Sequence, residues 1–474
     1  MFQRSPVRSI GNMAILMMVA FAVFAPVLSL SFLSDDFDMV WGTGRGAGDL
    51  HHGFFRPISF LSFRLVHIIA GDQVIIHRAL NVAIHGLNAF LLFCLVSRSL
   101  ADRDTTERRW AAWSAAVLFI VYPYHQEAVV WIVGRYPSLA TLFILTMLWV
   151  LLRDPLPSWR WILVGILFML ALLTYEIAVC LPLLALPLVR GGRAGFRSWA
   201  ITCAVVLVLW VVSRVLITGH LTNDYIADVV HHDVWTVISG CVKVFARFVL
   251  PPCDDPEHQV IRVVVLVLGV AVLVWRVFPS AWHQQGTRRT VAAWLWMLMV
   301  SSWLAVLGGV STRTSERDRF LYLPSAFFCG LLGLAVARIR NPVARWALVL
   351  VLFSASMVAM NENHRHWIIA SRITSSLVHD LREEEERGPL LVTNVPDEHE
   401  GAYIFRHGTV ALLLLNGIDT ARVRIAPASP REELISSGAR DRIDSLDMRG
   451  LSIGKLIPDP VGGRAYRRSV RWRP

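Results

Sequence analysis

The sequence predicts an all-α polytopic membrane bundle of about 11 transmembrane helices, followed by a small α/β domain, on the rule that a span needs about 20 apolar residues. Three observations carry that reading. Hydrophobic residues make up 55% of the 474-residue chain and charged residues 17%, with mean hydropathy +0.52; a soluble domain carries about 25% charged residues. Long apolar runs recur from residue 10 to residue 360. The loops between them alternate between arginine-rich and acid- or histidine-bearing. A soluble enzyme, a disordered tail and a collagen-like fibre are excluded.

The first run, Ile10 to Leu33, is too long for a signal peptide and has no small-residue cleavage site before Ser34, so it reads as a retained span. Further runs fall at 75–99, 110–124, 137–152, 159–175, 177–189, 198–217, 260–278, 291–310, 320–337 and 343–360. Several are short enough to need protein neighbours in place of bare lipid. Eighteen tryptophans suit the membrane interface. The six cysteines, Cys94, Cys180, Cys203, Cys241, Cys253 and Cys329, show no CxxC pairing, so neither a zinc site nor a disulfide framework is indicated.

Net charge is +11, almost all of it on arginine. Against this apolar background the charge reads as topology, with no nucleic-acid partner. One set of loops carries Arg4 and Arg8, Arg98 to Arg109, Arg153 and Arg160, Arg190 to Arg197, Arg276 to Arg289, and Arg338 to Arg345. The positive-inside rule makes that side cytoplasmic. The opposite loops carry Asp35, Asp36 and Asp38, then His125 and Glu127, Glu176, Asp224, Asp254 and Asp255, and the run Arg313 to Arg319. The chemistry is therefore expected on the extracytoplasmic face of a plasma (inner) membrane, with the amino terminus inside.

After Met360 the composition changes, which sets the expected domains at 1–360 (transmembrane, with a first outer loop at about 34–74) and 361–474 (extracytoplasmic). Short strands are expected at Leu390–Val392, Tyr403–Phe405 and Val423–Ile425. The basic stretch Arg464 to Pro474 reads as frayed or membrane-bound.

Asp35 and Asp36 follow the first span directly. Adjacent carboxylates resist ionising together, which raises one pKa toward proton abstraction; the same pair also reads as a solvated helix end. Downstream, Arg56-Pro57 precedes an amphipathic run, Ile58 to Ile69, suited to the interface. His77, Asn81, His85 and Asn88 are spaced by four, four and three, which puts them on one helical face. They read either as functional groups or as interhelical hydrogen-bonding groups. His125, Glu127 and Arg135 lie close together on the outer side as an acid, a base and a phosphate clamp. Glu176 adds a carboxylate between two short apolar runs. Arg313, Arg317 and Arg319 suit a bidentate phosphate clamp, or else a salt-bridged loop with Glu316 and Asp318.

In this order the motifs resemble the GT-C superfamily of membrane glycosyltransferases. They are Asp35-Asp36, Arg56-Pro57, the run His77 to Asn88, the run Pro123 to Arg135, and the run Glu316 to Ser325. The resemblance covers roughly residues 10–360 and is greatest to the protein O-mannosyltransferase-like branch with tetratricopeptide-carrying relatives. It implies a mannosyltransferase-like enzyme of the cell envelope that moves a hexose or pentose from a polyprenyl-phosphate-linked donor to a protein, lipid or surface-glycan acceptor. It places the catalytic base on Asp35 or Asp36 and donor-phosphate contact on Arg317 or Arg319. Arg56, His125, Glu127, Arg135, Glu176 and Arg313 complete the expected substrate site, with no metal ligand assigned and a divalent cation left open. Two departures stand out: Thr174-Tyr175-Glu176 replaces the Ser-Lys-Glu of relatives, and no tetratricopeptide array is visible. The alternative, a transporter or flippase of lipid-linked glycans, should show internal repeats and broken helices in both halves, and no such symmetry is apparent.

Overall fold

The computed structural model describes residues 6–44, 54–153, 157, 159–221, 234–252, 285–385, 390–427, 452–456 and 466–471. The chain divides into two compact units. The first comprises Met1–Leu28, Gly48–Val66 and Ile76–Asn363; the second comprises Ser29–Ala47, His67–Ile75 and His364–Pro474.

The helices run α1 (Pro6–Phe24), α2 (Asp35–Gly44), α3 (Pro57–Ala70), α4 (Val74–Ser99), α5 (Thr105–Ile120), α6 (Gln126–Val129), α7 (Arg135–Leu151) and α8 (Trp159–Leu172). They continue as α9 (Leu181–Leu184), α10 (Gly192–Thr218), α11 (Val234–Arg247), α12 (Gln285–Gly308), α13 (Tyr322–Ala337), α14 (Pro342–Glu385) and α15 (Thr409–Leu415). Among the described residues six helices are long and apolar enough to cross a membrane: Ser9–Val27, Val74–Ser99, Gly192–Thr218, Arg288–Gly308, Asp318–Ala337 and Pro342–Glu383. Shorter apolar helices lie at Pro57–Ala70, Arg135–Leu151 and Trp159–Leu172. The expected span at 260–278 lies outside the described residues.

Local chemistry explains where the helices depart from the apolar runs. The first run ends early: α1 tightens into a 3₁₀ turn at Ala25–Val27, because Pro26 cannot donate to the helical ladder. The run at 177–189 is corrected more deeply. It is not a spanning helix but a chain of short turns, 3₁₀ at Glu176–Cys180, α9, then 3₁₀ at Leu186–Leu188. Pro182 and Pro187 interrupt it. The composition change at Met360 falls inside α14, whose 44 residues continue to Glu385.

The first unit is packed through small residues. On α13, a Cβ at Gly333 would stand 2.4 Å from the Ala111 carbonyl oxygen and 2.9 Å from the Ala115 Cβ. With Ala111, Ala112, Ala115 and Ala116 all fully buried, α5 and α13 approach almost backbone to backbone. The α3 helix is amphipathic as expected, burying Ser59, Phe63 and Val66 and exposing Leu61, Leu65, Ile68 and Ile69.

In the second unit the strands are β1 (Leu390–Val395), β2 (Glu398–His399), β3 (Ala402–Tyr403), β4 (Val423–Pro427), β5 (Ser452–Leu456) and β6 (Tyr466–Arg471). Four of them form one sheet in the order β4-β1-β5-β6, parallel at β1–β4 and β1–β5 and antiparallel at β5–β6. β2 and β3 pair antiparallel by themselves. The basic C-terminal stretch is thus in part a paired strand, not a frayed tail.

Candidate active site

The polar stripe of α4 is wholly internal. His77, Asn81, His85 and Asn88 are each 0% exposed. Asn81 Nδ2 donates to the carbonyls of Val129, Trp131 and Ile132 at 3.3, 3.1 and 3.3 Å. His85 meets the Tyr322 hydroxyl at 2.8 Å and the Ile120 carbonyl at 3.2 Å. Asn88 donates to the Ser138 carbonyl at 2.8 Å. The Asn81 bonds satisfy carbonyls at the end of α6 and in the irregular stretch after it, while His85 and Asn88 tie α4 to the end of α5, to α7 and to Tyr322. The stripe is the scaffold for that stretch.

Arg135 belongs to the same scaffold. It is fully buried, donating from Nε to Asn81 Oδ1 at 2.7 Å and from Nη2 to the His77 carbonyl at 2.9 Å. Its expected role as a phosphate clamp is not what the geometry serves. His125 is also fully buried, bonded through Nε2 to Ser325 Oγ at 2.7 Å and surrounded by the rings of Phe119, Tyr122, His85 and Tyr322. Burial and the neighbouring His85 hold its pKa well below the ordinary histidine value. It is a neutral core residue and not an exposed acid. Glu127 is 2% exposed and pairs with Arg319, whose backbone N–H also donates to Glu127 Oε2 at 2.9 Å.

A second cluster gathers around Glu176. Arg56 donates to Glu176 Oε2 from Nε at 2.9 Å and from Nη2 at 2.8 Å. Its guanidinium lies 4.3, 4.9 and 4.8 Å from the ring centroids of Phe54, Tyr136 and Tyr175. Burial pulls the Arg56 pKa down, but Glu176 with Tyr175 and Tyr136 more than restores it, so the net direction is upward. Arg214 of α10, fully buried, reaches Glu176 Oε1 at 3.7 Å. The N-terminus of α3 is fixed here by Ser59 Oγ on the Thr174 carbonyl at 2.9 Å and the Ile58 N–H on the Leu173 carbonyl at 3.1 Å. Arg56 and Glu176 are therefore brought together, and Arg214 is a member the sequence reading missed. A lone basic residue late in an apolar run was the available signal.

The late arginines separate. Arg319 is committed to Glu127, and Arg317 Nη1 donates to the Gly308 carbonyl at 2.9 Å. Arg313 is exposed and, among the described residues, pairs with no carboxylate. It lines a pocket of about 410 Å³ with Lys243, between α11 and the end of α12, together with the hydroxyl residues Thr236, Ser239, Ser311 and Thr312. Among the described residues no carboxylate lines that pocket. Lys243 was missed as well, although the chain contains only one other lysine, Lys455.

In the second unit, Asp35 and Asp36 open α2 but are not equivalent. Asp36 is 0% exposed and its Oδ2 accepts from the Leu33 N–H at 3.1 Å. Asp35 is partly exposed, and the Ser34 hydroxyl donates to its Oδ1 at 3.4 Å. Among the described residues no group of three or more histidine, cysteine or acidic side chains converges as a metal site.

Fold and apolar helices together define a multi-pass helical membrane protein. Over 118 residues, 25% of this chain and 12% of the relative, it is 36% identical to Protein O-mannosyl-transferase TMTC1 of Mus musculus. Over 160 residues, 33% of this chain and 22% of the relative, it is 29% identical to Protein O-mannosyl-transferase F38B6.6 of Caenorhabditis elegans. The matches thus span less than a quarter of either relative's length, and they fall within the branch that the ordered motifs resemble. A crystal structure of ArnT from Cupriavidus metallidurans bound to undecaprenyl phosphate matches at a TM-score of 0.49, with 10% identity, over 96% of this chain and 94% of that one. No protein-family model matches the chain.

Proposed function

We propose that this chain is a membrane glycosyltransferase that moves a sugar from a polyprenyl-phosphate-linked donor to an acceptor hydroxyl on the extracytoplasmic side. The observation that carries it is the unequal pair at the start of α2: Asp36 is buried on a backbone amide, and Asp35 remains partly exposed on a fixed turn. That is the arrangement a general base needs, a carboxylate held in place with access to a substrate proton. The local likeness to protein O-mannosyl-transferases supports the same reading.

In this reaction the acceptor oxygen forms a bond to the anomeric carbon as the bond from that carbon to the phosphate oxygen breaks. Asp35 takes the acceptor proton. The lipid phosphate departs carrying the bonding electrons. Taken by itself, the first unit offers a phosphate-sized anion a pocket lined by Lys243 and Arg313 and, among the described residues, by no acid. The acceptor belongs to the protein, lipid or surface-glycan classes.

The full chain, purified into lipid, should transfer labelled sugar from a synthetic polyprenyl-phosphate mannose or related hexose donor. Transfer that proceeds equally well from a soluble nucleotide sugar without lipid carrier would overturn the donor class. Loss of neither donor use nor transfer in Asp35→Asn would overturn the base.

A further inference from the structure

The turn that carries Asp35 is held by residues near the other end of the chain, all within the second unit. Ahead of it, the Ser31 N–H donates to Ser371 Oγ at 2.9 Å and the Ser31 hydroxyl to the Ser371 carbonyl at 3.2 Å. At the turn, the Ser34 N–H donates to the Ile404 carbonyl at 2.9 Å. The His407 N–H donates to Ser34 Oγ at 3.3 Å, and Ser34 Oγ donates in turn to Asp35 Oδ1 at 3.4 Å. Ser34 is 1% exposed and has a φ of +50°, a left-handed conformation that serine seldom adopts without outside support.

Gly408 supplies part of that support. Its φ is +79°, and a Cβ there would lie 2.5 Å from the Ser34 carbonyl oxygen and 3.2 Å from the Phe37 Cβ. Only glycine permits both the conformation and the approach. It also caps α15, which packs on α2. Ile404 and Phe405, at 0% and 1% exposed, anchor the segment in the core of the unit.

We propose that residues 404–408 act as a positioning strap for Asp35, with Ser34 and Gly408 as positioning residues that set the direction of the carboxylate. The C-terminal part of the chain then belongs to the catalytic apparatus and is more than an appended module. This rests on Asp35 being the base. Displacements of about 1 Å at a catalytic group cost on the order of 100-fold in rate, so the strap should govern turnover more than donor binding.

The test uses the full chain in lipid with a synthetic polyprenyl-phosphate sugar donor, comparing Ser34→Ala, Ser34→Asn, Gly408→Ala and Asp35→Asn. Ser34→Ala and Gly408→Ala should lower kcat about 10- to 100-fold and leave the donor KM unchanged. Ser34→Asn should restore most of the loss, because asparagine tolerates the left-handed region and its amide can both accept from His407 and donate to Asp35. Amide exchange at residues 34–38 should rise in Gly408→Ala. If that variant fails to fold, Ser34→Ala and its rescue by Ser34→Asn decide the question. Wild-type kcat in Ser34→Ala and Gly408→Ala, with transfer lost in Asp35→Asn, overturns the strap and leaves the base assignment standing. Wild-type kcat in Asp35→Asn overturns both.

Discussion

Glu127 and Arg319 form a closed pair: one Glu127 oxygen takes the Arg319 guanidinium and the other takes the Arg319 backbone amide at 2.9 Å. The carboxylate is 2% exposed and the arginine side chain 22%, so a partly exposed cation offsets a buried charge. As a pair the two are nearly neutral, so their pull on a phosphate is weaker than that of an unpaired arginine.

A division of labour among Arg319, Lys243 and Arg313 follows. Arg319→Ala strands Glu127 and should lower the midpoint of thermal unfolding in detergent, at a cost approaching about 3 kcal/mol given the partly exposed arginine. Adding Glu127→Gln to that variant should recover part of the loss. Lys243→Ala and Arg313→Ala should leave melting unchanged and raise the donor KM about 10-fold or more each, the equivalent of a charge-assisted hydrogen bond. Donor KM rising only in Arg319→Ala would reverse these roles.

The two aspartates at the start of α2 should separate by phenotype. Asp35→Asn removes the proposed base and should reduce kcat by about 10²- to 10⁴-fold with melting unchanged. Asp36→Ala removes the acceptor for the Leu33 amide inside the core and should destabilise by about 1–3 kcal/mol. Steady-state kinetics and thermal melts on the same preparations read both. Identical behaviour of the two variants would return the pair to a plain helix end.

How much of this was visible in the sequence depends on the range of the interaction. The spacing of His77, Asn81, His85 and Asn88 correctly puts them on one face, since helical period is local. What that face binds is not local: Asn81 reaches residues 129–132 and His85 reaches Tyr322. The amphipathic face of α3 and the position of β1 were legible for the same reason. The arginine cluster was not, because Glu127, which neutralises Arg319, lies 192 positions away and no charge pattern identifies it. Pro182 and Pro187 were signals against a span at 177–189, outweighed by the apolar composition around them. Gly408 offered no sign of its role, since only the fold brings it against Ser34.

Buried, neutral His125 makes the fold sensitive to acid. Its pKa is held well below the ordinary 6.5 by burial and His85. Above 6.5 neither folded nor unfolded chain carries the proton, and the full stability is present. As pH falls through 6.5 the unfolded chain takes up a proton that the folded chain refuses, so stability is lost, at up to about 1.4 kcal/mol per pH unit for one such group. Thermal midpoints in detergent should therefore drop from pH 7.5 to pH 5.5. His125→Gln, which keeps a partner for Ser325, should show a smaller drop. An equal drop in both proteins would assign the acid sensitivity to other groups.

The second buried pair should behave differently from the first when one partner is lost. Arg247 donates from Nη2 to Asp318 Oδ1 and Oδ2, each at 2.6 Å, with both side chains 2% exposed. It also donates from Nη1 to the Leu250 carbonyl at 2.9 Å and lies 4.2 Å from the ring centroid of Tyr124. The pair joins the end of α11, one turn after Lys243, to the turn that opens α13. Removing one charge leaves the other buried and unpaired, which costs roughly 3–5 kcal/mol, whereas replacing both with apolar groups of similar volume is often neutral. Asp318→Asn should therefore lower the melting midpoint severely, and Arg247→Met combined with Asp318→Leu should recover most of it. Because the shape around Lys243 would persist in that double variant, its donor KM should stay close to wild type. A double variant no more stable than Asp318→Asn would mean that the contacts to Leu250 and Tyr124, and not the charge pairing, hold this corner of the bundle.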